Sequence, residues 1–456
     1  MTENNGQSQS KINKKVCIFT NFFAPDDTYS LYRVTVDQIK MLLRHDYKPV
    51  VVVSESFDPS GTIFENVELR KVPNVPCHNE VKKDESFDSD VDSIYNALKE
   101  HLKGVDVCIT QDIVYKPSEL KYNFAARKVA PEFSQLKWLH WINSATPPVK
   151  LGNLMGIFTD QYLELVKKPF LNSKYVFFNE VSRGIIAKNF GVSEDEVRIV
   201  HHPSDLYEIY GIESRELKAF IDKRDIFSAD AIFVYPIRLD RGKQVEYVIK
   251  TAAMIKEFGM SVRCIVVDFH STGGDKVTYR DELKQTGLDW GLSPKELAFT
   301  SEFTDTWHVS IPHKDVLAMM RFSNVFVMPS VSESYSLITQ EAALTKNLIV
   351  LNQDFPPFRD IFGPHNIFRK YSSNWDVMAG FDEAMQEGSR TDTAYGPANI
   401  SPQERIQYEK LYHKTTAGMI VDKLINDPTL ATNRFIRKNR SLDVVFTREL
   451  QPLLWL

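Results

Sequence analysis

The feature that most constrains the fold is a regular alternation of short apolar runs with helical stretches along most of the chain. Apolar runs of this length are typical of strands buried on both faces of a parallel sheet, with helices as the crossovers. We therefore predict an α/β fold with two Rossmann-like domains. The predicted strands are residues 16–19, 50–53, 105–109, 138–142 and 175–178, then 231–235, 262–267, 297–300, 325–328 and 348–351.

A highly charged stretch, GIESRELKAFIDKRD, separates the two sets of strand-like runs at residues 211–225. We predict a flexible tail at 1–13, a first domain at 14–215, a second domain at 226–400 and a C-terminal helical segment at 401–456. Ligands of open α/β sheets bind beyond the carboxyl ends of the strands. Two such domains facing a central cleft would therefore hold one substrate on each side.

Composition limits the partners and the compartment of this 456-residue chain. A formal net charge of −5 excludes a surface that is basic throughout, which leaves only local patches for nucleic acid. The four cysteines lack metal-ligand spacing, which indicates free thiols in a reducing compartment. The polar N-terminus has no apolar leader, and no apolar stretch approaches the roughly twenty residues that span a bilayer. We therefore predict a cytoplasmic protein.

Two segments in the second half carry candidate chemistry. AIFVYPIRLDRGKQVEYVIKTAAMI runs from a strand through a basic loop, with Arg238 and Lys243, into an amphipathic helix. VFVMPSVSESYSLITQEAAL runs from a strand through a loop with Glu333 into a helix that contains Glu341. A helix N-terminus that follows a strand offers backbone N–H groups to a phosphate. The pattern predicts a diphosphate site, although two glutamates alone are more typical of a solvated helix face.

In this order the two segments resemble the retaining glycosyltransferases of family 4. That family has the GT-B fold, pairs an Arg with a Lys in the first loop, and carries two Glu separated by seven residues, the spacing of Glu333 and Glu341. Further stretches match in sequence order over most of the second half and, more loosely, upstream: IPHKDVLAMMRFSNVFVMPS, VSEDEVRIVHHPSDLY and LKWLHWINSATPP. Two segments depart from the family pattern, because APDDTYS and FPPF replace its glycine-rich turns at residues 24–30 and 355–358.

The resemblance implies a GT-B enzyme that transfers a hexosyl or pentosyl group from a nucleotide-diphosphate sugar with retention of configuration. UDP sugars rank ahead of GDP and ADP sugars as donors, and neither a metal nor another cofactor is expected. The resemblance also implies that the C-terminal segment crosses back to support the first domain. The implied catalytic residues are Arg238 and Lys243 at the leaving diphosphate, Glu333 at the sugar hydroxyls, and His140 near the transferred sugar.

The resemblance further implies a nucleotide-binding set in the second helix segment. Glu341 would accept hydrogen bonds from the ribose, and backbone donors near the helix start would contact the phosphates. Those donors belong to Tyr335, Ser336 and Leu337.

Two motifs have simpler alternatives. His140 lies between Trp138 and Trp141 at a predicted strand end, so a core histidine is an equal reading of that residue. Asp88, Asp90 and Asp92 have the D-x-D spacing of metal-dependent transferases. They directly precede a helical run, and helix capping is the favoured reading.

The acceptor should bind the first domain, where Tyr29, Tyr32 and Arg33 lie near the atypical loop. Candidates are a glycan, a lipid-linked glycan, a small metabolite or a hydroxymethylated DNA base. The basic run ATNRFIRKNR at 431–440 and the apolar LQPLLWL at 450–456 leave a phosphate backbone, a second subunit or a peripheral membrane contact open as partners. Two other functions stay open: a nucleotide-sugar epimerase of the same fold, and a noncatalytic nucleotide-sugar or nucleic-acid binding module.

Overall fold

The computed structural model describes residues 14–144, 147–168, 170–270, 274–331, 333, 335–371 and 401–455. The chain forms two compact units. The first contains the residues up to Ser204 together with those from Arg440 onward, and the second is Asp205–Asn439. The division after Ser204 therefore lies N-terminal to the boundary predicted at residue 215.

The first unit is built on a parallel sheet with strand order β3-β2-β1-β4-β5-β6-β7. The central strand β1 pairs with β2 on one side and β4 on the other, so that Cys17 lies opposite both Val50 and Cys108. All residues of β1, β2 and β4 are buried, because β-branched side chains fill both faces of the sheet. The strands are β1 (Val16–Phe19), β2 (Val50–Ser54), β3 (Glu68–Val72), β4 (Val107–Gln111), β5 (Lys137–Trp141), β6 (Ser173–Phe177) and β7 (Val197–Ile199).

Amphipathic helices cover this sheet. The first of them buries Leu31, Thr35, Ile39 and Leu42, which recur at helical spacing on one face. The helices are α1 (Ser30–Arg44), α2 (Phe87–His101), α3 (Leu120–Val129), α4 (Leu151–Leu154), α5 (Asp160–Lys167) and α6 (Arg183–Phe190).

The second unit has a parallel sheet with strand order β10-β9-β8-β11-β12-β13. Its strands are β8 (Ala231–Pro236), β9 (Val262–Val267), β10 (Leu297–Phe299), β11 (Val325–Met328), β12 (Leu348–Asn352) and β13 (Ile367–Arg369). Its helices are α7 (Leu206–Ile209), α8 (Arg215–Arg224), α9 (Val245–Ile255), α10 (Asp275–Asp289), α11 (His313–Phe322), α12 (Leu337–Leu344), α13 (Pro357–Phe362), α14 (Pro402–Asn426) and α15 (Pro428–Asn439).

The last residues return to the first unit. There α16 (Leu442–Val445) and α17 (Gln451–Trp455) flank a short π-helical turn. Leu442, Phe446 and Leu454 are buried in the same core cluster as Val16 and Ile18 of β1. The apolar C-terminus therefore docks mainly on the protein itself, while Trp455 stays partly exposed.

The prediction of an α/β chain with two Rossmann-like domains is confirmed by two parallel sheets, in each of which the strand order reverses about a central pair of strands. All ten predicted strands exist, although the third is shifted to begin at Val107. The sequence missed β3, β7 and β13. Each of these three is an edge strand with charged or partly exposed positions, so its pattern is not that of a buried run.

The capping prediction for the three aspartates is wrong in detail, because helix α2 already begins at Phe87. Asp88 accepts a hydrogen bond from the Tyr162 hydroxyl, Asp90 pairs with Lys121, and Asp92 pairs with Lys128. The carboxylates thus link α2 to its neighbours. Among the described residues no group of three or more His, Cys, Asp or Glu side chains could hold a metal ion. No helix in that part of the chain is both long and apolar enough to cross a membrane.

Candidate active site

The candidate site lies at the carboxyl edge of the second sheet, where β8 and β11 are neighbours. The chain continues from β8 to β9 on one side, while β11 leads to β12 on the other. A crevice opens where two connections diverge in this way, and it is the usual ligand site of doubly wound sheets. The basic loop follows β8 and the Glu333 loop follows β11, so the fold brings both predicted segments to this point.

Backbone and hydroxyl contacts fix the two loops to one another. The Val331 N–H donates to the Gly242 carbonyl over 3.0 Å, and the Tyr235 hydroxyl donates to the Lys243 carbonyl over 2.9 Å. A Cβ atom on Gly242 would lie 3.4 Å from the Val331 side chain, an ordinary van der Waals contact. Gln244 then starts helix α9 with a left-handed φ of 51°, a conformation typical of sites that are held in place by their surroundings.

Lys243 and Glu333 form the central contact of the site. The Lys243 Nζ lies 2.5 Å from Glu333 Oε1, and the two side chains are only 20% and 14% exposed. This shielding from solvent makes their attraction stronger than that of a surface ion pair. The pair presents an ammonium for phosphate oxygens beside a carboxylate for hydroxyl groups.

Arg238 lies on the same loop but is more open to solvent. Its Nε is 3.3 Å from Asp240 Oδ2, and Lys276 also pairs with Asp240 at 3.6 Å. Arg241 pairs with Glu282 at 2.9 Å. Asp240, which was not predicted as a site residue, therefore partly neutralises Arg238 and Lys276, while Glu282 does so for Arg241.

Helix α12 begins at Leu337, four residues after Glu333. Ser336 precedes the helix with a left-handed φ of 70°, and its hydroxyl lies 2.8 Å from that of Thr339. Among the described residues no side chain caps the first N–H groups of this helix, so they are suited to an anion. Tyr335 and Leu337 flank this point with exposed side chains.

Glu341 lies one turn into α12 and pairs with a residue that the sequence analysis missed. Its Oε1 is 3.0 Å from the Nε2 of His313, the first residue of α11. Nothing in the spacing of His313 marks it as functional, because the contact arises from two helices that start at the same edge of the sheet. The structure joins Lys243 to Glu333 and Glu341 to His313 as two separate pairs.

His140 belongs to the core of the first unit. It lies on β5, is fully buried, and its Nδ1 is 3.0 Å from the Thr110 hydroxyl. Its ring packs 4.4 Å from that of Phe170 and 5.3 Å from that of Tyr175, measured between centroids. Burial, with a smaller contribution from the Arg127 charge, lowers its pKa to about 3. This side chain is therefore neutral at physiological pH and packs as a core residue.

Much of the basic run at 431–440 is used inside the second unit. Arg437 is buried and donates to the Phe227 carbonyl over 2.9 Å. Arg434 and Lys438 both pair with Asp230, at 3.3 and 2.6 Å. These three cations stabilise the packing of helix α15.

No family model and no curated protein matches the chain. Solved structures show similarity along nearly the whole length, at low identity. A glycosyltransferase from Rickettsia africae is 13% identical, with 97% of this chain and 98% of that chain covered and a TM-score of 0.35. HepE from Anabaena in complex with UDP-glucose is 12% identical, with coverages of 97% and 100% and a TM-score of 0.34. Sucrose-phosphate synthase from Thermosynechococcus elongatus is 12% identical, with coverages of 97% and 98% and a TM-score of 0.32. These values are too low to support a role for any residue.

Proposed function

We propose that this chain is a retaining glycosyltransferase that moves a sugar from a nucleotide-diphosphate sugar to a hydroxyl acceptor. The observation that carries the proposal is the Lys243–Glu333 pair, which joins the loops after β8 and β11 at the switch point of the second sheet, where the second loop leads into helix α12. This arrangement supplies donors for a diphosphate and an acceptor for sugar hydroxyls within one site. UDP sugars are the first donors to test.

The leaving group sets the main electrostatic demand. As the bond between the anomeric carbon and the phosphate oxygen breaks, negative charge develops on the diphosphate while the sugar becomes cationic. Lys243 supplies a compact positive charge, and Arg238 on the same loop supplies a planar guanidinium that can hold two oxygens. Backbone N–H groups at Ser336 and Leu337 add fixed donors that need no reorganisation during the step.

Glu333 and Glu341 orient the donor. Glu333 accepts hydrogen bonds from the sugar hydroxyls, and its contact with Lys243 holds it in place. Glu341 accepts hydrogen bonds from the ribose, and His313 positions its carboxylate.

The configuration at the anomeric carbon is retained when the acceptor attacks from the same face from which the leaving group departs. The new bond forms between the acceptor oxygen and the anomeric carbon, the bond to the phosphate oxygen breaks, and the acceptor proton passes to the leaving diphosphate. The proposed mechanism uses no protein nucleophile, and His140 takes no part because its ring is enclosed by the core of the first unit.

The test compares wild-type protein with Lys243→Ala and with Lys284→Ala, an exposed lysine of the same unit that pairs with Glu302. Each protein is incubated with UDP, GDP and ADP sugars, and nucleotide release to water is followed by mass spectrometry. We expect Lys243→Ala to lower release about 10²–10³-fold, the usual cost of losing one preorganised donor at a developing anion. Lys284→Ala should behave as wild type.

The same experiment separates the other two functions. An epimerase converts the nucleotide sugar into an isomer and keeps the nucleotide attached. A binding module binds the nucleotide, as calorimetry would show, and releases nothing. Unchanged release by a folded Lys243→Ala protein would contradict the diphosphate role of this lysine.

A further inference from the structure

A cavity of about 300 Å³ opens at the amino edge of the first sheet. One side is the end of α3 and the turn that leads to β5, and the other is the end of α5 and the residues that lead to β6. The first sheet has its switch point between β1 and β4 at the opposite, carboxyl edge, where doubly wound sheets bind their ligands. The cavity is therefore separate from any ligand site of that kind.

Apolar residues form most of the wall. They are Ala130, Pro131, Leu165, Phe170 and Leu171. Leu171 is 56% exposed, so an uncovered apolar side chain lies at the opening of the cavity. Sites for small molecules typically have this size and an apolar lining, with a few polar groups that orient the ligand. The cavity therefore fits a molecule with an apolar body.

The wall is anchored in the core of the first unit. The ring of Phe170 packs 4.4 Å from that of the buried His140, measured between centroids. The two sides are also joined by hydrogen bonds over 3.0 Å, since the Asn172 Nδ2 donates to the Leu136 carbonyl and the Trp138 N–H donates to the Asn172 carbonyl. A ligand would enter a preformed space, which lowers the entropy cost of binding.

Arg127 places a guanidinium at this cavity without an acidic partner. Its Cζ lies 4.6 Å from the centre of the Phe170 ring. Its Nε donates to the Asn123 amide oxygen over 2.8 Å, and its Nη1 donates to the carbonyls of Leu165 and Lys168 over 3.2 and 2.7 Å. Its Nη2 makes no hydrogen bond to any residue that the structure describes. Burial lowers the pKa of this guanidinium, and no carboxylate of the described chain offsets that effect.

Two lysines add positive charge to the same cavity. Lys128 pairs with Asp92 at 2.5 Å. Lys168 is exposed and forms no ion pair with a described residue, because the acid nearest to it in sequence, Glu164, pairs with Lys167 at 2.5 Å. Two of the three cations at the cavity therefore lack an acidic partner within the described chain. A partly buried charge is costly unless it is paired, so the cavity favours an anion.

We propose that this cavity binds a small carboxylate with an apolar body, such as a medium-chain fatty acid. The carboxylate contacts Arg127 and Lys168, and the hydrocarbon chain packs on Leu165 and Phe170. A planar guanidinium suits a carboxylate, whose two oxygens it can hold at once. Inorganic phosphate has no apolar part and would leave the wall uncovered. The site goes beyond the proposed transferase, because it shares no residue with the donor site.

The experiment measures binding of octanoate, decanoate and dodecanoate to the full chain by saturation-transfer NMR, below their critical micelle concentrations. Octanol, octylamine and inorganic phosphate are the comparison probes, because each lacks either the negative charge or the apolar body. Phosphatidylglycerol vesicles test an anionic membrane surface as the occupant. We expect the carboxylates to bind, octanol to bind about tenfold more weakly than octanoate, and octylamine, phosphate and vesicles not to bind.

Four variants test where the carboxylates bind. Arg127→Gln should weaken binding about tenfold, since it removes the charged donor of the site. Lys168→Gln should weaken it about threefold, and Leu171→Glu should weaken it at least as much as Arg127→Gln by placing a like charge at the opening. The last two change exposed side chains and should fold as wild type, which circular dichroism checks. Lys188→Gln, which changes an exposed lysine of α6, should leave binding unchanged.

Four outcomes would overturn the inference: failure of all three carboxylates to bind, octanol binding as tightly as octanoate, binding that Lys168→Gln and Leu171→Glu both leave unchanged, or binding to vesicles alone. The proposed function is tested independently. Lys243→Ala should lose nucleotide release and bind the carboxylates as wild type does, and Leu171→Glu should do the reverse.

Discussion

The two switch points of this chain share a geometry and differ in charge. In each sheet a side chain that follows the central strand contacts a glutamate that follows its neighbour: Asn21 with Glu119 in the first unit, and Lys243 with Glu333 in the second. The partner of the glutamate is a neutral amide in one case and an ammonium in the other. The fold therefore places a polar contact at the same point of both sheets, and the two contacts differ in charge.

Backbone conformation repeats at the two sites as well. Asp112 in the first unit and Gln244 and Ser336 in the second hold left-handed φ angles of 56°, 51° and 70°, although none is a glycine. Such conformations cost about 1–3 kcal/mol each and persist where the surroundings impose them. Left-handed residues therefore occur in loops at both switch points.

The largest effect in this comparison is expected when the charge of Glu333 is removed and the shape of its side chain is kept. We expect Glu333→Gln to lower kcat/KM for the donor about 10–100-fold, because hydrogen bonds from sugar hydroxyls to a carboxylate are stronger than those to an amide. Steady-state kinetics of nucleotide release measures the change. Glu302→Gln, which alters an exposed acid of the same unit, is the matched control. A loss no larger than that of the control would leave Glu333 as a structural partner of Lys243 only.

A second test asks whether His140 acts only as a core residue of the first unit. With a pKa of about 3 in the folded protein and about 6.5 in the unfolded chain, this residue binds more protons when unfolded between those values, so stability should fall as the pH drops below 6.5. We expect His140→Phe to remove a loss of about 2 kcal/mol between pH 7.5 and pH 5 in urea denaturation. Nucleotide release should change little.

The exposed His308 provides the control, since His308→Phe should leave the pH dependence of stability intact. If a folded His140→Phe protein lost nucleotide release as strongly as Lys243→Ala, His140 would instead have a role in catalysis.

The smallest expected effect concerns the ribose contact. Glu341→Gln should raise the KM for the donor about 3–10-fold and change kcat little, because a contact far from the reacting bond is made equally in the ground and transition states. His313→Ala should raise the KM less, since it removes the residue that positions the carboxylate. A fall in kcat at unchanged KM would place Glu341 at the reacting sugar.

The sequence predicted what depends on local pattern. Strand β11 was predicted with its observed bounds because Val325–Met328 is uniformly apolar and buried. Strand β3 was missed because ELRKV buries only its last residue. Arg238, Lys243, Glu333 and Glu341 could each be named from the resemblance. The direct contact of Lys243 with Glu333 could not, since it joins positions ninety residues apart through the order of the strands.

Glu119, in contrast, could not be predicted from local sequence pattern. It stands in the sequence PSEL with no motif around it, and its environment is made by loops that follow β1 and β4. The burial that raises its pKa exists only after those loops meet. His313 was missed for the same reason, because its partner Glu341 is supplied by another helix.

The return of the chain to the first unit has a consequence for the order in which the protein folds during synthesis. Leu442, Phe446, Leu450 and Leu454 complete a core whose strands were made more than 200 residues earlier, and the entire second unit lies between. The residues of the second unit are therefore synthesised before the first unit has all the side chains of its core. Until α16 and α17 dock, the apolar face of the first sheet that they cover stays open to solvent.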